Sequence, residues 1–311
     1  MRILVLLLVI FNLHFFVYSQ QDPQYTQYMY NQNVVNPAYA TNNLGIINFG
    51  GIHRSQWASA EGAPTTFTFF AHAPVTEKIE TGLSIITDNI GDGLLKENNF
   101  YADFAYILQL AETHKISLGI KAGLTNFQTD FNGIRLPEIQ DDPAFNEDLK
   151  GTFPNIGAGA FYFTDKYYVG FSVPNLLKNK HLEERNGINR IGSEEIHFFL
   201  TGGYVHEFNP DLKLKPSFMA KAVKGSPPVL DTSMNVLLYN RFEGGISYRI
   251  NDSFSGMFNV KALPSLTIGY AYDYTTSNLG DFNSGTHEIM VLFDLDLLGL
   301  RKGYDKSPRF F

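Results

Sequence analysis

KISLGIKAGLT, residues 115–125, alternates at every step. One parity carries Ile116, Leu118, Ile120, Ala122 and Leu124; the other carries Lys115, Ser117, Gly119, Lys121, Gly123 and Thr125. Successive side chains of a strand point to opposite faces, so the stretch predicts a strand with one oily face and one wet face. The pattern recurs in RFEGGISYRI (241–250), SLTIGYAYD (265–273) and DLKLKPSFMAKA (211–222). Followed along the chain it predicts about fourteen strands, near 44–53, 65–73, 79–88, 98–110, 114–127, 153–163, 166–173, 194–207, 211–223, 229–239, 241–250, 254–261, 264–273 and 285–296. Most exceed the ~5–6 residues of an ordinary strand and suit the ~9–11 that a bilayer-crossing strand needs.

Connections discriminate further. Those after even-numbered strands are tight, around Pro74, Glu112, Thr164-Asp165, Asn209-Pro210, Asn240 and Leu263. Most of those after odd-numbered strands are longer, including 128–152, 174–193 and 274–284, with Asn251-Asp252-Ser253 a short exception. Alternating short and long connections with an even strand count describes an outer-membrane barrel, whose short turns face the periplasm. Lipid also demands closure, because an open sheet edge would leave backbone groups without partners. A soluble β-sandwich alternates too, with its oily face turned inward, so periodicity alone does not separate the two. The expected fold is therefore all-β, a transmembrane antiparallel barrel.

The rest of the sequence is consistent with export. Met1-Arg2 followed by ILVLLLVIFNLHFFVYSQ reads as a signal peptide over 1–19, the run being broken by Asn12 and His14. Cysteine is absent, which removes disulfide scaffolds and thiol chemistry. A formal charge of −7 argues against a nucleic-acid partner. Aromatic residues make up 14 % of the chain, as suits a β wall meeting lipid headgroups.

Motifs for chemistry are weak. GAGAFY (157–162) begins like a dinucleotide fingerprint, but Tyr162 replaces the third glycine and no helix follows. DNIGDG, from Asp88, lacks the ligands of a calcium loop. Asp130, Glu138, Asp141, Asp142, Glu147 and Asp148 share one long loop, where a surface calcium site competes with a plain solvated acidic loop. The histidines lack zinc spacing, and His287 beside a serine lacks the setting of an activated nucleophile. No enzyme activity, cofactor or catalytic or metal residue is expected.

The wet parity gathers Lys115, Lys121, Lys213, Lys215, Lys221, Arg241 and Arg249 with Asp103, Asp231, Glu243, Asp273 and Glu288. Charges of both signs facing one interior should pair, since a lone buried charge is costly. Such a lumen suits a plugged or narrow barrel. QQDPQYTQYMYNQNVVNPAYA (20–40) carries one charge and could fill it, its amides meeting polar wall groups and its rings filling volume. A loose periplasmic tail is the alternative.

The same stretch carries a family resemblance. QDPQYTQYMYN (21–31) and NPAYA (36–40) are joined by HRSQW (53–57), GAPTT (62–66) and FPNIGAGAFYFTDKYYVGFSVPNLL (153–177). GGISYRIND (244–252), LTIGYAYDYTTSNL (266–279), GTHEIMV (285–291) and SPRFF (307–311) continue it. Together these resemble the PorP/SprF family of type IX secretion outer-membrane proteins of Bacteroidetes. The resemblance implies a barrel akin in architecture to fatty-acid transporters. It also implies partners: the lipid bilayer, the translocon with its periplasmic components, and a large secreted adhesin whose C-terminal signal domain is bound and anchored for gliding or adhesion. A passive channel or hydrophobic-solute transporter is the competing function.

The expected layout is a signal peptide at 1–19, a Gln/Asn/Tyr-rich segment at 20–43, the barrel at 44–297 and a periplasmic tail at 298–311. Candidate partner-binding or family-motif residues are Arg54, Gln56, Trp57, Asp273, Tyr274, His287, Glu288, Arg309 and Phe311. Arg54, Gln56 and Trp57 are expected just past the first strand, on the outer rim.

Overall fold

The computed structural model describes residues 24–131, 148–177, 195–224 and 226–297. Strands are β1 (Ile46–Ser55), β2 (Thr65–Pro74), β3 (Ile79–Ile90), β4 (Leu95–Gln109), β5 (Lys115–Thr129), β6 (Lys150–Phe163), β7 (Tyr167–Val173), β8 (His197–Tyr204), β9 (His206–Asn209) and β10 (Leu212–Val223). β11 (Val229–Leu238), β12 (Phe242–Arg249), β13 (Ser253–Leu263), β14 (Leu266–Thr275) and β15 (Thr286–Asp296) complete them. β8 and β9 both pair with β10 and are one strand interrupted at Val205. Each strand lies antiparallel to its sequence neighbour, and β1 pairs with β15 to shut the ring. The result is a closed barrel of 14 strands.

Its burial is inverted relative to a sandwich. Phe67, Leu83, Phe104, Leu118, Ile120, Ile246 and Phe258 face outward and are exposed, while Lys121, Lys213, Lys215, Asp103, Asp231 and Glu243 are buried. The oily parity of residues 115–125 is the outer one, and Ser117, Lys121 and Thr125 point inward. A cylinder greasy outside and polar inside is stable in a bilayer, where pairing between neighbouring strands satisfies backbone groups that lipid cannot.

Some boundaries differ from the sequence reading. β4 starts at Leu95 and β6 at Lys150, because Lys96–Asn99 and Lys150–Thr152 are polar on both faces and hide the period of two. Arg241 lies exposed in the turn before β12, its guanidinium over the Phe242 ring, and not in the lumen. Residues 1–23, 132–147, 178–194, 225 and 298–311 lie outside the described residues. With them go the leader, most of the acidic loop, most of the second long loop, and the tail with Arg309 and Phe311.

Candidate functional site

Residues 24–43 run through the inside of the barrel. Tyr28, Met29, Gln27, Asn31 and Ala38 have essentially no exposed surface. Only short 3-10 and α turns form, at Tyr28–Tyr30 and Gln32–Val35, so most main-chain groups need wall partners. The segment enters at the end carrying the longer connections and leaves at the short-turn end, where β1 begins.

At the loop end, the Glu288 carboxylate accepts the backbone N–H groups of Thr26 (3.0 Å) and Gln27 (2.9 Å). Arg54 bridges Glu288 (3.1 Å) and Asp273 (2.9 Å), all three buried. The Thr26 hydroxyl donates to Asp273 (2.6 Å) and accepts from Arg54 (3.0 Å), which ties the segment into the ion network.

Midway, Tyr28 Oη lies 3.0 Å from Ser217 Oγ and 3.2 Å from Ser233 Oγ. Tyr30 donates to Glu243, which also receives Lys215 Nζ (2.6 Å) and Asn235 Nδ2 (2.8 Å).

Beyond it, Val34 and Val35 give their carbonyls to Lys121 Nζ and Ser172 Oγ, each at 2.9 Å. Asn36-Pro37-Ala38 then lies in a trough cut by glycines. Gly119 of β5 and Gly159 of β6 face each other in register. A Cβ at Gly119 would come within 2.3 Å of the Pro37 carbonyl oxygen, and one at Gly159 within 2.1 Å of Asn36 Oδ1. Only glycine leaves room for that approach. Asn36 Nδ2 donates to the Ala160 carbonyl (3.1 Å).

At the short-turn end a second carboxylate takes over. Glu80 accepts the backbone N–H groups of Thr41 (2.9 Å) and Asn42. His72 Nε2 lies 3.1 Å from Glu80 and 3.1 Å from the Tyr39 carbonyl oxygen.

The sequence candidates divide between lumen and rim. Arg54, Asp273 and Glu288 come together, but inside: Arg54 belongs to β1 and points into the lumen, since parity, not nearness to the strand end, sets its direction. Gln56 and Trp57 do lie in the connection after β1. Trp57 adopts a left-handed φ of 49°, and its N–H donates to Thr286 Oγ1 (3.1 Å). Tyr274 and His287 take the opposite parity and face outward; His287 Nδ1 meets Tyr270 Oη at 2.7 Å.

Sequence reading missed Leu279 and Phe282, which are 48 % and 77 % exposed on a short 3-10 turn beyond the end of β14. That turn is fixed to the neighbouring connection through Ala58 N–H to Gly285 O (2.7 Å) and Ser284 N–H to Ala58 O (2.8 Å). The available signal was two large apolar residues in an otherwise polar loop. Glu80 was also missed: it is the second residue of β3, just past a tight turn, and carries no spacing motif.

The sequence pattern of the family described as "Type IX secretion system membrane protein PorP/SprF" matches residues 17–293. Comparison with curated proteins finds no match. Among solved structures, the Acinetobacter baumannii outer membrane protein Omp33 is 8 % identical, with 80 % of this chain and 97 % of that one covered at a TM-score of 0.47. A Pseudomonas aeruginosa FadL homologue is 13 % identical over 81 % and 89 %, with a TM-score of 0.45. A mutant of the monoaromatic hydrocarbon channel TodX is 10 % identical over 85 % and 93 %, with a TM-score of 0.46.

Proposed function

Because the chain belongs to the PorP/SprF family of type IX secretion system membrane proteins, we propose that this outer-membrane barrel receives the C-terminal signal domain of a secreted adhesin at its loop-end rim and anchors it there. The supporting observation is the rim built from residues 56–64 and 276–285, which holds Leu279 and Phe282 out beyond the barrel wall. Exposed aromatic and aliphatic side chains on a fixed backbone are the usual anchors of an interface. The lumen is filled by the chain's own segment, which favours holding a partner over passive conduction of solutes. Nothing in the chain suggests an energy source or a reaction, so the barrel binds and the translocon drives. The tail from Lys302 onward is proposed to meet a periplasmic component.

The test is affinity capture from outer membranes with mass spectrometry of what remains bound. One large adhesin should co-purify, and Phe282→Asp should reduce its recovery by roughly ten-fold or more while the barrel stays folded. Swelling of liposomes holding the intact chain, with no adhesin captured, would replace this reading by the channel.

A further inference from the structure

The wall holds the internal segment through its main chain and through its side chains alike. Wall carboxylates take the amides of Thr26, Gln27, Thr41 and Asn42, and wall donors take the carbonyls of Val34, Val35 and Tyr39. The glycine trough accommodates both the backbone at Pro37-Ala38, over Gly119, and the Asn36 side chain, over Gly159. Side chains are met at set places as well: the hydroxyls of Tyr25, Thr26, Tyr28 and Tyr30 all have wall partners, as has the Asn36 amide. Among the segment's amides, both polar atoms of Gln27 and both of Asn31 are buried without a protein partner. A wall that meets main-chain groups at both ends and phenol, hydroxyl and amide groups between them recognises a peptide both by its backbone and by where its tyrosines and asparagine stand.

We propose that the lumen is a polypeptide-binding groove, occupied in cis by residues 24–42 and able to take in trans an uncharged peptide that carries tyrosine and asparagine side chains at matching places. Its ligand class is set by the wall. Two widely separated carboxylates, Glu288 and Glu80, each need a pair of consecutive N–H donors, and the glycine trough between them admits a main chain at van der Waals contact. The segment is covalently tied to the barrel only at the short-turn end, through β1, so its loop-end half can be withdrawn while the tether stays intact. This inference does not depend on the rim: a failed adhesin capture leaves it standing, and a barren groove leaves the rim reading standing.

The experiment uses a synthetic, fluorescently labelled peptide of Gln24–Asn42. A variant lacking those residues should bind it saturably, and the intact chain should bind it at least about ten-fold more weakly because the groove is already filled. A peptide N-methylated at Thr26, Gln27, Thr41 and Asn42 loses the donors that Glu288 and Glu80 require, and should bind at least about ten-fold more weakly than the unmodified one. Should the deletion variant not fold, a protease site placed between Asn42 and Gly45 of the full chain is cut after folding, and labelled peptide in excess should exchange with the severed segment. Absence of binding to the folded deletion variant overturns the proposal. So does equal binding of the N-methylated peptide, or, in the cut chain, no exchange.

Discussion

The two ends of the internal segment are fastened by the same chemical group in unequal company. Glu288 shares its site with Asp273 and the guanidinium of Arg54, a closed set in which each carboxylate has a cation. Glu80 has His72 and the Thr41 hydroxyl beside it besides the amides it accepts, and no guanidinium. The stronger ionic clasp is at the free end; the weaker one is where the segment already continues into β1. Covalent attachment and electrostatics are thus distributed so that each end has one dependable hold.

The largest test of that contrast is Arg54→Met. It leaves Asp273 and Glu288 buried with no cation between them, and breaking a buried pair in this way costs about 3–5 kcal/mol. Urea unfolding of the reconstituted barrel should show the loss, together with protease cleavage inside residues 24–43; an unchanged midpoint would mean the network contributes little. Glu80→Gln removes a charged acceptor of two amides and should cost about 1.5–3 kcal/mol. Hydrogen exchange should then speed up at Thr41 and Asn42 and stay slow at Thr26 and Gln27, and equal acceleration at both ends would dissolve the distinction drawn here. Gly119→Val forces a side chain into Pro37 and Ala38, an overpacking cost of about 1–3 kcal/mol. It should loosen the segment between its ends without touching either carboxylate. Tyr270→Phe removes an outward contact to His287 and should cost no more than about 1 kcal/mol, with no effect on the segment. A larger loss would give the outer face a structural part in holding the barrel.

The wall was legible in the sequence because a strand has only two faces and lipid imposes a strict preference on one of them. Residues 115–125 and 265–273 showed which parity was oily, strand length and loop asymmetry turned that parity outward, and the inward Lys121, Asp273 and Glu288 then followed. Where strands pass beyond the lipid, as at Lys96–Asn99, that preference lapses and so does the signal. Arg54 was misjudged for a related reason: adjacency to HRSQW suggested rim, whereas its even-numbered place on β1 fixed it inward. The partners within the lumen were not readable. Nothing in a one-dimensional string puts Thr26 beside Glu288 or Asn36 beside Gly159, since those meetings depend on the depth at which a chain crosses an enclosed space. Leu279 and Phe282 were open to notice, but a loop residue's exposure depends on neighbours such as Ala58 and Gly285 that sequence order keeps far apart.

The joint between the first and last strands carries a consequence for biogenesis. Arg54 and Glu288 are direct partners across it. The amides of Thr26 and Gln27 therefore find their acceptor in place only after the final strand has docked, by which time the surrounding staves already encircle the leading stretch of chain. Whatever machinery inserts this protein must thread before it seals, and slow hydrogen exchange at Thr26 would mark the moment of sealing.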